Sequence, residues 1–498
     1  MTAAPPVLTS QLMTPDETTE ALLATGSIAK IGQAYREGRL SVATATHFYL
    51  DRIARFNAAG PCLNAVKSIS SSASQDAHAL DRALQAGNDL GPLHGIPVLI
   101  KANVMLGEQY TVHAGVAALK QFRPTATAQI VKRLRAAGAL ILGQTNLTEF
   151  ADYVADTMPA GFSGAEGVVR NPHGIPYGRG QGSSVGSAAA IAASFAPLAV
   201  GGETQNSIQT PASYSSVVGY KPSVGAIGRA GIIPLVPSQD AAGFLGRCVA
   251  DVVLAVRAVS GADPRDSVSL ERAQQLREGR ARLPDSLESV RIGVPRKAMA
   301  DREQFSAVLP HFQRVLDALA VARATIIDPC DLPSAEQLQE MRSCVFATEF
   351  KASVNAFLED HLAPCGIGSL ADLIAWNSAH PECIPYGQSL LINAQNTIGL
   401  HHDDYLRDRA RDIALSRTAG IDAALGAHNA DVLLAPMGAA AKCTGKAGAP
   451  TLAIPFGVDV SGTPFGVTLY SRIGNDRALE AVAALVERAV GNRVIPRL

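Results

Sequence analysis

The 498-residue chain alternates stretches in which apolar residues recur at helical spacing with short unbroken apolar runs, and that alternation predicts its elements. The Pro/Thr-rich start, to about Thr14, predicts loose order. A helix ending near Gly38 follows, and the next runs from Ser41, a suitable N-cap, to Phe56, with Val42, Phe48, Ile53 and Phe56 apolar. Residues 63–66 read as a short strand and 72–84 as a helix closed by Gly87 and Asn88. Residues 93–100 are an apolar strand entered through a Gly/Pro turn. After it, 127–137 read as a helix ended by Gly138, 139–142 as a strand, and 145–150 as the start of another helix. The Ala-rich run 187–195 predicts a helix buried on all sides, followed by an apolar strand into Gly201 and Gly202.

Strand, helix, strand in this order argues for an α/β fold with a largely parallel sheet covered by helices, and the loops after the strands' C-terminal ends are then the place for a site. Residues 263–284 are charged and Arg-rich, which predicts an exposed helix between two halves. The second half opens with a strand at 290–295. It continues with helices at 312–320 and 337–357, returns to strands at 432–436 and 451–455, and closes with a helix at 477–490.

Composition narrows the function classes. Apolar residues make up 47% of the chain and charged residues 17%, enough for a substantial core, and the aromatic share is only 5%, so the core is built of Ala, Leu, Val and Ile. A formal net charge of −1 gives no electrostatic case for binding nucleic acid or an anionic membrane surface. The seven cysteines are scattered, form no C-x-x-C pair and lack zinc-like His spacing. They read as reduced, mostly buried thiols of a cytoplasmic protein, with no metal and no cofactor implied. His401, His402, Asp403 and Asp404 read as a solvated helical face, because adjacent helical residues point in different directions. The start of the chain lacks a basic region followed by an apolar one, and the longest apolar stretch, 188–200, is too short to span a bilayer.

The chemistry concentrates in 180–209, G-Q-G-S-S-V-G-S-A-A-A-I-A-A-S-F-A-P-L-A-V-G-G-E-T-Q-N-S-I-Q. Glycines 182 and 186 permit backbone angles that a Cβ forbids, so N–H groups can converge at the mouth of the helix. A second turn, 201–207, ends a strand on Ser207, a common place to expose a nucleophile. Gly/Ser-rich segments are most often plain turns, and neither a G-x-S-x-G elbow nor a phosphate loop is present. Lys101, closing the apolar strand, is the residue that decides: a buried lysine is costly unless paired or neutral, and one whose pKa burial lowers is a candidate general base, set against the plainer reading of a lysine snorkelling at a strand end.

Together these pieces resemble the amidase signature family, hydrolases with a Ser-cisSer-Lys triad. G-I-P-V-L-I-K matches the lysine strand, G-S-S-x-G-S-A-A-A the serine loop and G-x-E-T-x-x-S-I the nucleophile turn, with the two serines 24 positions apart. Further matching blocks begin at Gly138, Val217, Ser238 and Gly448. The wording of G-I-I-P-L-V-P-S-Q-D, and of Y-G-Q-S-L-L from Tyr386, is nearest the peptide-amidase branch.

The resemblance implies a single large α/β domain with a mixed, mostly parallel twisted sheet and helices on both sides. Within it lie a helical portion (1–90), a core with the triad (91–270), a variable region bordering the substrate funnel (300–430) and a return to the core (431–498). It implies Lys101 as base, Ser183 as bridging serine after a cis peptide, Ser207 as nucleophile, backbone N–H groups of Thr204, Gln205, Asn206 and Ser207 as oxyanion hole, and Ser184 and Gln209 as supports. The activity implied is hydrolysis of a small-molecule amide through an acyl-enzyme, with a homodimer left open. The alternatives are acyl transfer or amide formation, as in the catalytic component of a tRNA-dependent amidotransferase, and amide binding without turnover.

Four departures from the family pattern matter. The usual Gly-Gly before the nucleophile is Gln205-Asn206, the usual Arg after Ser-Ile is Gln209, the usual Asp after the lysine is Ala102, and one glycine of the serine loop is Val185. Gln tolerates positive φ poorly, and side chains in the turn predict a narrowed acyl pocket.

Overall fold

The small and apolar residues after Ser184 form the helix Val185–Ala192, and all eight are buried. A helix without a polar face has to be enclosed, and this one is stitched to the sheet. Ser187 Oγ donates to the Val200 carbonyl oxygen at 2.9 Å and lies 2.8 Å from Thr145 Oγ1. The computed structural model describes residues 17–278, 283–299 and 307–498. The Pro/Thr-rich start and residues 279–282 of the charged segment lie outside the described residues; within that segment the helix Ser267–Glu278 forms.

Thirteen strands are described: β1 (Val66–Ile69), β2 (Pro97–Lys101), β3 (Leu140–Thr145), β4 (Phe162–Ser163), β5 (Gly167–Val168), β6 (Leu198–Glu203), β7 (Val218–Lys221), β8 (Ala241–Gly246), β9 (Arg291–Gly293), β10 (Thr325–Ile327), β11 (Val432–Pro436), β12 (Thr451–Val458) and β13 (Pro464–Tyr470). Apart from the β4–β5 pair they form one sheet in the order β1-β3-β2-β6-β8-β7-β12-β13-β11-β9-β10. The sheet is mixed. β3, β2 and β6 pair in parallel, as do β11, β9 and β10, and the strands between these two blocks pair antiparallel. The parallel block in the first half is the one that strand–helix–strand alternation signals. β2, β3 and β8 are buried at every position, so they read as continuous apolar runs rather than alternating ones.

A second apolar cluster lies beside the main core. The helices Val345–Leu362, Leu370–Ala379 and Ser389–Gln395 contribute Phe350, Phe357, Leu373 and Leu391, which join Phe150, Ile233 and Leu235 from the loops around the sheet. Among the described residues no helix is long and apolar enough to cross a membrane.

Most expected elements form within a few residues of their predicted ends, including the helix Val42–Phe56 with Ser41 Oγ accepting the Thr44 N–H. Four expectations are corrected. The strand predicted at 63–66 lies later, at β1, since Asn64 takes a left-handed φ of 50° that no strand accommodates. The helix predicted from Thr145 does not form. β3 runs through Thr145, and Phe150, Ala151 and Asp152 follow with φ of 44°, 53° and 77° in a short turn. The helix predicted at 337–357 is two, Ala335–Glu340 and Val345–Leu362. The seven cysteines are unpaired, yet Cys330 alone is buried and Cys62 and Cys365 are exposed.

Candidate active site

Lys101 is the last residue of β2, 1% exposed, and its strand neighbours β3 and β6 enclose it on both sides. Nζ donates to Ser183 Oγ at 2.7 Å, to Ser184 Oγ at 2.9 Å and to the Gly202 carbonyl oxygen at 3.3 Å. Three acceptors match the three N–H bonds of an ammonium, and loss of one proton frees a lone pair that can accept from a serine hydroxyl. Burial lowers the pKa to about 7, opposed by the more distant carboxylates of Asp240, Glu203 and Asp152. The amine is thereby poised near neutrality.

The peptide between Gly182 and Ser183 is cis. The Ser183 carbonyl oxygen accepts the Thr148 N–H at 3.1 Å. Neither Gly182 nor Gly186 has positive φ, so their value is not the backbone freedom expected of them. It is close approach: a Cβ on Gly182 would meet Thr148 Oγ1, and one on Gly186 would run into the carbonyl oxygens of Asn146 and Ala65. Ser184 is a hub rather than a passive support. Its hydroxyl accepts from Lys101 Nζ and donates to the Gly202 carbonyl oxygen at 3.1 Å, and its N–H donates to the Ser207 carbonyl oxygen at 3.1 Å. That last bond joins the two serine loops.

Ser207 is 4% exposed, and among the described residues no hydrogen bond holds its hydroxyl. The hydroxyls of Ser183 and Ser207 are therefore brought to adjoining loops without being bonded to each other. Among the described residues the N–H groups of Thr204, Gln205, Asn206 and Ser207 also find no protein acceptor, whereas those of Ile208 and Gln209 both donate to Glu203 Oε2, at 2.6 and 2.8 Å. Four successive free donors beside a serine are suited to meet a developing oxyanion.

The Gln205-Asn206 substitution does not strain this turn. Neither residue has positive φ, and each side chain is anchored away from the turn's centre. Thr204 Oγ1 donates to Asp240 Oδ1 at 2.6 Å, Gln205 Nε2 to Gln239 Oε1 at 3.1 Å, and Asn206 Nδ2 to the Gly180 carbonyl oxygen. Gln205 also packs where a Cβ on Gly445 would stand 2.6 Å from its Cγ. Gln209 supports the turn from behind, with Nε2 donating to Glu203 Oε1 at 2.9 Å and to the Gln205 carbonyl oxygen at 2.8 Å.

A cavity of about 230 Å³ opens from Lys101 and from Gly202, Glu203 and Thr204. Val104, Ala114, Phe150, Ile233, Leu235 and Ala242 give it apolar walls, and Arg229, Arg265 and Asp266 lie at its charged end. Gln205 and Asn206 do not line it. Nor do Ser183 and Ser207. Asn103 does, with its Oδ1 buried and unpartnered. Arg229 is spent on Asp266, which it grips with Nε at 2.8 Å and Nη2 at 2.7 Å.

Four side chains at the site have no role that the motifs announce: Asn103, Asp152, Glu203 and Asp240. Glu203 and Asp240 sit inside the matching blocks G-x-E-T and S-Q-D. Asp152 gives no signal in the sequence, since only the left-handed turn brings its carboxyl towards Lys101 and the Gly182 N–H, and burial there raises its pKa to about 7.

A mixed sheet whose parallel strands end on a buried lysine bonded to two serines places the molecule among α/β proteins built around a Lys–Ser cluster. A family model described as amidase matches residues 44–447, and the chain belongs to that family, the amidase signature family. A probable amidase of Arabidopsis thaliana is 30% identical over 95% of this chain and 91% of its own. The A component of the glutamyl-tRNA(Gln) amidotransferase of Synechococcus sp. is 30% identical over 93% of this chain and 97% of its own. Among solved structures, the native peptide amidase of Stenotrophomonas maltophilia superposes with a TM-score of 0.85 at 34% identity, covering 95% of this chain and 98% of that one. An amidase family protein of Bacillus anthracis superposes with a TM-score of 0.86 at 30% identity, covering 97% and 94%.

Proposed function

We propose that this protein is a serine-dependent amidase that hydrolyses the C–N bond of a linear carboxylic amide through an acyl-enzyme. The observation that carries this reading is the fully buried Lys101 amine within hydrogen-bond reach of both Ser183 and Ser184. A serine hydroxyl is a weak nucleophile near neutral pH and needs a base during attack. In the proposed sequence Ser207 Oγ bonds to the amide carbon as its proton passes to Ser183 Oγ, and the proton of Ser183 passes to Lys101 Nζ. The oxyanion is met by N–H groups of Thr204, Gln205, Asn206 and Ser207, each donor contributing about 3 kcal/mol. The proton then returns by the same relay to the leaving nitrogen, the C–N bond breaks, and water attacks the ester. Closure of the Ser207–Ser183 hydrogen bond accompanies substrate binding, since catalytic contacts tighten in the bound complex.

The apolar cavity beside Lys101 favours a neutral, apolar acyl group, and the likeness to a peptide amidase favours an amide on the carboxyl end of an amino acid or peptide. Residues 300–430 are the proposed border of the substrate funnel, as their helices build the apolar cluster that includes the cavity residue Phe150. The proposed compartment is the cytoplasm.

Turnover of a panel of aryl, aliphatic and peptide amides tests the reading. Ser207→Ala is expected to abolish turnover and labelling by a fluorophosphonate; unchanged turnover of the preferred amide overturns the assignment. A second reading is favoured by the full-length likeness to the amidotransferase component, namely transfer of the acyl group to ammonia or another amine. Product analysis with added amine separates the two: hydrolysis yields the free acid throughout, and transfer yields the new amide.

A further inference from the structure

Behind the nucleophile turn lies a second buried lysine. Lys221 closes β7, is 0% exposed, and among the described residues its Nζ has no hydrogen-bond partner. The charged groups that face it are Glu203 and Asp476. Asp476 is committed to Ser223, accepting its N–H at 2.8 Å and its hydroxyl at 2.5 Å.

Glu203 has a different task. It is 2% exposed, and its carboxylate collects the N–H groups of Ile208 and Gln209, the Gln209 amide and, at 3.4 Å, the hydroxyl of Thr451, the residue paired with Lys221 across β7 and β12. Ser207 and its four free N–H groups lie between Glu203 and the residues that Glu203 holds. The clamp works only while the carboxylate is an acceptor. A protonated Glu203 would turn an O–H towards its donors and release one of them. Gln209, which contacts this carboxylate directly, brings no charge to balance it. Burial raises the pKa of Glu203, and Lys221 is the cation that opposes the rise. The Lys101 amine, which ends the neighbouring strand and also faces it, gives up its proton in the proposed reaction.

We infer that Lys221 is a positioning residue, holding Glu203 in its ionised form so that Glu203 keeps the nucleophile turn shaped for attack. The inference rests on the amidase reading of Ser207. Burial lowers the Lys221 pKa to about 8, so the ammonium persists through neutral pH.

The test is the second-order rate at which a fluorophosphonate labels Ser207 between pH 5.5 and 9, with the labelled residue identified by mass spectrometry and folding followed by thermal melts. Lys221→Met is expected to slow labelling at least tenfold at pH 7, with partial recovery as pH rises and Glu203 ionises without its partner. Glu203→Gln, which turns an NH2 towards the same donors, is expected to label slowly at every pH, and the double variant Lys221→Met/Glu203→Gln no more slowly than Glu203→Gln, because Lys221 acts through Glu203; a merely structural lysine would add its own loss. If Lys221→Met does not fold, a double variant that folds and labels at the rate of Glu203→Gln supports the coupling equally. A folded Lys221→Met with the parent's rate and pH profile, or a double variant at least tenfold slower than Glu203→Gln, overturns the inference while leaving the amidase reading intact. Failure of the parent protein to label at Ser207 overturns both.

Discussion

A lysine enclosed on every side and bonded to two hydroxyls sets the pH behaviour at the residue scale. With a pKa lowered to about 7 by burial, Lys101 carries its proton below that pH and cannot accept one from a serine. The expected outcome is an acid limb in log kcat/KM, with activity falling as pH drops through about 7, at a slope near one per pH unit; the measurement is the pH dependence of kcat/KM on any amide that the protein turns over. Lys101→Ala is expected to lower kcat/KM by about 10²–10⁴ and to abolish that limb. The same scale explains why two unusual side chains are tolerated in the nucleophile turn. Gln205 and Asn206 each find an acceptor outside the turn, so their bulk leaves the backbone donors free. Residue types alone predicted crowding there, and the partners that hold these side chains, Gln239 and Gly180, lie far along the chain.

The elements around the site are placed by close packing more than by loop flexibility. Gly186 begins the buried helix directly against the backbone oxygen of Asn146, with a negative φ, so a methyl group there has a contact problem and no dihedral problem. Gly186→Ala is expected to destabilise the fold by about 1–3 kcal/mol through overpacking and to slow labelling of Ser207, measured by urea denaturation and probe kinetics. The glycine spacing of the serine loop was legible in the sequence, but its reason was not, because contact with Asn146 exists only after the strand-to-loop exit of β3 is in place. The turn at Phe150, Ala151 and Asp152 was illegible for a related reason. Its composition suits a helix, yet three successive residues are left-handed, with Phe150 packed against Phe350, lining the cavity and donating its N–H to the Ala114 carbonyl oxygen.

Across the whole molecule, several buried or half-buried carboxyl groups lack a full ionic partner. Burial raises Glu149, Asp152 and Glu487 to about 7 and Asp251 to about 6, above the range near 4 expected in the unfolded chain. A group raised in this way binds its proton more tightly in the native state. It therefore contributes stability that is present at low pH and lost as pH rises through the folded pKa. His113 and His173, lowered by burial, act in the opposite sense below about 6.5. Glu487 accepts the Val249 N–H at 2.9 Å and so ties the helix Asp476–Val490 to the start of the helix Val249–Val259. Glu487→Gln keeps an acceptor but cannot titrate, and is expected to reduce the gain in unfolding free energy between pH 8 and pH 5 by an amount on the order of 2 kcal/mol, read from denaturant titrations at the two pH values.

The spacing of apolar residues by itself determined most of the helices, the strand carrying Lys101 and the buried helix after the serine loop, because period and composition are local and survive without the fold. The ordered motifs indicated which lysine and serine loops would adjoin: Lys101 ends β2, Ser207 follows the neighbouring strand β6, and Ser183 reaches Lys101 from the turn ahead of the buried helix. What only the tertiary structure decided is the antiparallel centre of the sheet, the left-handed turn that brings Asp152 to the site, and the buried Glu203 and Lys221 behind Ser207. Each depends on a partner remote in sequence, and a buried charge or a forced dihedral has no signature until that partner removes the water or supplies the contact.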